Sequence, residues 1–202
     1  MKDEKQKIDT VRGQDLKRVE RFFGWAVTVA IVIWTILMFV DGRDTKVFMG
    51  LLTIASLLLI MFGQKKSSYA FSSAFVIMTY IFIFVSVGLG TFGGAYSIPH
   101  FDDFLHLTSG VWMGYGAWVL IQKIIGEKLV DQLPRLFIAI YIIVFALAVA
   151  GFWELMEFAG DKLFHFTAQG RDPDDTMFDM IDGLIGGIVA AFFIARKHGR
   201  KL

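Results

Sequence analysis

The sequence is built from long apolar runs separated by short polar loops, and this pattern leaves few folds open. A helix needs about 20 mostly apolar residues to cross the hydrocarbon of a bilayer. Phe22–Val40 is one such run, between Arg21 and Asp41; Val47–Gly63 is a second, and Ala70 to about Gly90 a third. Leu107–Gln122 is long enough only if its helix starts near Asp103. Leu136–Trp153 follows Pro134, and Gly183–Ala195 is long enough only if it begins near Asp175. The expected fold is all-α: a polytopic bundle of six transmembrane helices. The two-residue alternation of an outer-membrane barrel is absent. Hydrophobic residues make up 55% of the chain, more than a soluble domain carries.

Basic residues orient such a bundle, because they favour cytoplasmic loops. Lys2, Lys5, Lys7, Arg12, Lys17, Arg18 and Arg21 precede the first span; Lys65 and Lys66 follow the second; Lys123, Lys128 and Arg135 lie between the fourth and fifth; Arg196, Lys197, Arg200 and Lys201 close the chain. The alternate loops hold only Arg43, Lys46, Lys162 and Arg171. Every loop agrees, so both termini are expected in the cytoplasm. Residues 1–21 form a cytoplasmic N-terminal segment, 22–196 the transmembrane domain and 197–202 a basic tail that includes His198. The stretch from Asp9 to Phe23 reads as a solvated lead-in, with a cytoplasmic helix as the alternative. The first twenty residues lack the apolar core of a cleavable signal peptide. A net charge of +1 points to no nucleic-acid partner, and the absence of Cys excludes disulfides.

The unusual polar residues gather on the outer side. In "DDFLHLTSGVWMG", Asp102 and His106 are four apart and Asp103 and His106 three apart, so a carboxylate and an imidazole share a helical face. Gly110 and Gly114 continue that face, and small residues at this spacing let a second helix approach. In "GFWELMEFAGDKLFH", Glu154, Glu157 and Asp161 follow at spacings of three and four, and His165 extends the face if the helix persists. In "DDTMFDMIDGLIGG", Asp175, Asp179 and Asp182 do the same, with Gly186 one step on. Asp182 falls about one to two helical turns below the surface.

Helix capping accounts for Asp174 or Asp175, and for one of Asp102 and Asp103. His100 reads as a loop residue. Capping does not account for Asp179 and Asp182, which lie past the first turn, or for Glu154 and Glu157, which stand at a helix C-terminus where the dipole disfavours them. With Lys162 and Arg171 the only obvious cations nearby, these carboxylates need protons or a metal ion in so small a space. Carboxylates with one or two His suit Mg2+, Mn2+, Zn2+ or Fe2+. The expected metal ligands are His106, Glu154, Glu157, Asp179, Asp182, Asp102 and Asp103, with Asp161 or His165 as general base. His106, Glu154 and Asp179 are expected to converge within about 8 Å. A proton or cation pathway and a structural hydrogen-bond network are the alternatives.

"FDDFLHLTSG", "FWELMEF" and "TAQGRDPDDTMFDMIDGLIGG" together resemble the pattern of the YjdF-like bacterial inner-membrane proteins, over roughly residues 80–195. The resemblance implies the spans, the outer pocket and a bacterial inner-membrane location, and no reaction. Gln169-Gly170-Arg171-Asp172 departs from that family's tighter Gln-Gly-Asp loop. "DMIDG" also resembles the start of the CDP-alcohol phosphotransferase motif, but "LIGGIVAAFF" stands where its continuation belongs. The expectation is an outward-facing, metal-dependent hydrolase or transferase. It would act in the lipid bilayer on a lipid-like or phosphorylated substrate. An ion- or proton-coupled transporter and a non-catalytic membrane subunit are the rivals.

Overall fold

The computed structural model describes residues 2–66, 71–164, 168–170 and 174–198. Among the described residues, six helices are long and apolar enough to span a membrane: Gly13–Val40, Asp44–Lys65, Ser73–Phe92, Phe101–Ile125, Arg135–Leu163 and Asp175–His198. No strand occurs among the described residues. The chain divides into two compact units, Met1–Ser97 and Ile98–Leu202.

The first unit contains α1 (Lys2–Val40), α2 (Asp44–Lys66) and α3 (Ser73–Ile83). The lead-in expected before the first span is not separate, because α1 is helical from Lys2 onward. The hydroxyls of Thr28 and Thr35 donate to the carbonyls of Gly24 and Ile31, each at 2.7 Å. That satisfies them inside an apolar helix. α3 runs on as a π-helix, Phe84–Phe92. Trp34 of α1 lies over Gly88 of this segment, where a Cβ would come within 2.9 Å of its ring. Buried Val27, Ile31, Leu57, Val76 and Tyr80 form the core. Sequence reading missed one polar feature here. Glu20 is only 7% exposed. It accepts from Gln64 Nε2 at 3.2 Å, and Gln64 also clasps the Phe71 backbone at both its N–H and its carbonyl.

The second unit contains α4 (Phe101–Ile125), the single turn α5 (Glu127–Val130), α6 (Arg135–Phe164) and α7 (Asp175–His198). α4, α6 and α7 pack against one another. Their closest approaches are made by small residues. A Cβ on Gly110 would fall 2.2 Å from the Gly183 carbonyl, and one on Gly186 would fall 2.1 Å from the Leu107 carbonyl. A Cβ on Gly187 would fall 2.6 Å from the Ala146 methyl of α6. Without side chains between them, backbones close to van der Waals contact, the usual basis of helix association where lipid removes the hydrophobic drive. α6 continues past Trp153 to Phe164, so Glu154, Glu157 and Asp161 ride on one unbroken helix.

His198 corrects the sequence reading. It is not a tail residue but part of the last turn of α7, 3% exposed. Its Nε2 donates to the Leu133 carbonyl at 3.1 Å, and its ring meets Trp118 edge-on at 5.7 Å. α7 is long enough to reach the loop before α6, where the imidazole meets the Leu133 carbonyl.

Candidate metal centre

One end of the second unit brings together the first turns of α4, the last turns of α6 and the first turns of α7. α4 starts at His100, whose backbone is left-handed (φ 62°). Its Nδ1 lies 2.7 Å from Asp103 Oδ2. Asp103 thereby pairs with the His100 ring, and Asp102 is the carboxylate that faces His106 one turn on. The bundle buries His106 and Asp179. His106 Nε2 stands 3.7 Å from Asp102 Oδ1 and 3.8 Å from Asp179 Oδ2, and its Nδ1 stands 4.0 Å from Glu154 Oε1. One ligand atom each from Asp102, His106 and Asp179 lie within 4.8 Å of one another.

These separations are informative. They are too long for hydrogen bonds. Two ligands of one ion, each about 2.0–2.2 Å from it, stand roughly 3–4 Å apart. Glu154 adds a second observation. It is 4% exposed, and neither carboxylate oxygen has a hydrogen-bond partner. Such a group is costly in a dry interior unless something polar meets it. Asp102 is the open side of the group, its side chain 42% exposed.

The other expected site residues are placed around this centre. Asp182 lies on α7 near Asp103 and His106, but outside the group of three. Glu157 accepts the indole N–H of Trp153 at 2.8 Å. Asp161 accepts the backbone N–H groups of Ala168 and Gln169 at 2.8 and 3.2 Å. That is the work of a loop anchor, and it leaves the carboxylate poorly placed as a base. His165, the other candidate base, lies outside the described residues, as does Arg171. Lys162 sits over the Phe158 ring at 5.4 Å.

Sequence reading missed Thr176. Gln169 Nε2 donates to Thr176 Oγ1 at 3.2 Å, and the Thr176 hydroxyl faces the Glu154 carboxylate without reaching hydrogen-bond geometry. Gly170 beside it has φ 70°, and a Cβ there would collide with the Asp175 carboxylate. The one signal available in the sequence was the Gln-Gly pair just before the acidic helix start.

Two carboxylates and an imidazole form a hard, oxygen-rich donor set that fits Mg2+, Mn2+, Zn2+ or Fe2+. No curated protein and no solved structure matches the sequence. Residues 23–200 match the family described as "Predicted membrane protein (DUF2238)". With six apolar helices and the match running almost end to end, the chain belongs to the DUF2238 family of membrane proteins.

Proposed function

We propose that this membrane protein binds one divalent metal ion through Asp102, His106 and Asp179, and that the ion serves a hydrolase or transferase acting on a lipid-like, phosphorylated or ester substrate. The observation that carries the reading is the spacing of the three groups, 3.7 and 3.8 Å about His106 Nε2, together with a buried carboxylate that has no partner beside them. A bound divalent ion polarises a phosphoryl or ester oxygen and generates hydroxide from water near neutral pH. Asp102 is the exposed ligand, so substrate would approach from its side. Exposed Phe104, Met177 and Phe178 on the adjoining helix starts offer apolar surface for an acyl chain.

The test is elemental analysis of protein purified without added metal, followed by thermal unfolding with Mg2+, Mn2+, Zn2+ or Fe2+. One equivalent of a divalent metal is expected, along with a rise in unfolding temperature for that ion alone. An ion held at 100 times its Kd adds about 2.7 kcal/mol. No metal and no shift with any of the four would end the reading.

We also propose that the site faces outward from a bacterial cytoplasmic membrane, with both termini inside. The charge asymmetry of the loops supports it. The chain has no native Cys, so single cysteines report cleanly. Tyr96→Cys and Ala168→Cys are expected to react with an impermeant maleimide added to intact cells. Labelling only after the inner face is opened would reverse the orientation.

A further inference from the structure

An imidazole offers two nitrogens that point in divergent directions, and one ion takes only one of them. Here Nε2 faces Asp102 and Asp179, while Nδ1 faces Glu154. Glu154 also falls outside the group of three whose ligand atoms lie within 4.8 Å. A neutral imidazole can bind metal through Nε2 only if its proton is on Nδ1, and a carboxylate facing Nδ1 selects that tautomer. Glu154 is buried with both oxygens unpartnered, and closing the 4.0 Å gap to a hydrogen bond needs about 1 Å of side-chain movement.

Resting on the metal reading above, we propose that Glu154 is not a ligand but the positioning residue that fixes the tautomer and orientation of His106, and that Thr176 holds Glu154 for this task. Thr176 Oγ1 already accepts from Gln169 Nε2, so its own proton is free to turn to the Glu154 carboxylate. Gln169 in turn is pinned by its N–H to Asp161. The chain Asp161, Gln169, Thr176, Glu154, His106 links the loop after α6 to the ion. It gives the Gln169-Gly170 turn a role and explains why Asp161 anchors the loop.

The full-length protein is prepared in detergent with 15N-labelled histidine. The side-chain shifts of its four histidines are read without metal, His106 being assigned with His106→Asn. Mn2+ and Zn2+ affinities are then titrated in wild type, Glu154→Gln, Glu154→Ala, Thr176→Val and Thr176→Ser. His106 is expected to carry its proton on Nδ1 in wild type and Glu154→Gln, and to lose that preference in Glu154→Ala. Glu154→Gln and Thr176→Ser should bind one ion within about threefold of wild type. Glu154→Ala and Thr176→Val should bind one ion about 10–100-fold more weakly, the usual cost of losing a partner behind a ligand. Complete loss of the ion in Glu154→Gln would make Glu154 a ligand and overturn the proposal, as would an unchanged tautomer and affinity in Glu154→Ala. A wild type that binds none of Mg2+, Mn2+, Zn2+ and Fe2+ yet shows the Glu154-dependent tautomer would overturn the metal reading and leave the pairing of Glu154 with His106 standing.

Discussion

Asp179→Ala is expected to abolish stoichiometric metal binding, with affinity falling by more than the roughly 10–100-fold cost of losing an outer partner. Asp179 is 3% exposed and supplies one of the three groups that, among the described residues, have ligand atoms within 4.8 Å of one another. In metal-free protein the same substitution should leave stability unchanged or raise it. Asp102, Glu154 and Asp179 crowd one imidazole, and removing one buried carboxylate relieves repulsion and desolvation together. The wild type should therefore gain unfolding temperature on adding the ion, while the variant starts no lower and gains nothing. A merely structural Asp179 would give the opposite pattern, a variant less stable in the absence of metal. Asp182→Asn is the companion. Asp182 stands outside the group of three, so this variant should still bind one equivalent. Equal metal loss in both variants would mean that the acidic face of α7 acts as a whole and that the three-residue centre is wrongly drawn.

Gly186→Ala is expected to destabilise the fold by about 1–3 kcal/mol, the range for forcing atoms into a packed interior, even though alanine favours a helix over glycine by about 1 kcal/mol. The added methyl would stand 2.1 Å from the Leu107 carbonyl, 2.8 Å from the Val111 nitrogen and 2.9 Å from Gly110 Cα. All three are backbone atoms, so no rotamer change relieves the overlap and α4 must move away from α7. Asp102 and His106 ride on α4 and Asp179 rides on α7, two turns from Gly186, so metal affinity should fall along with stability. Gly63→Ala is the control. Nothing lies within 4 Å of its Cβ position, so the helix propensity gain should appear alone. Thermal unfolding of the two variants in the same detergent decides the matter. A Gly186→Ala protein as stable as Gly63→Ala would mean that α4 and α7 do not pack through their glycines.

The sequence by itself determined the helices. Apolar run length fixes how many segments can span the bilayer, and the three-and-four spacing of Asp, Glu and His fixes which of them share a helical face. It was enough to place Asp102, His106, Glu154 and Asp179 on inward-facing stripes. Spacing does not fix how far one helix slides along another, and that decided which side chains join the group of Asp102, His106 and Asp179. Asp102 enters and Asp103 does not, because the left-handed turn at His100 brings that ring 2.7 Å from Asp103. Asp179 enters and Asp182 does not, because the contacts of Gly110 with Gly183 and of Gly186 with Leu107 set the height of α7 against α4. Glu154 meets Nδ1 rather than Nε2 because α6 approaches His106 from a different side than α7. The burial of His198 and of Glu20 was invisible for the same reason. Each depends on a partner from another segment, Leu133 for one and Gln64 for the other, and only packing brings such partners within reach.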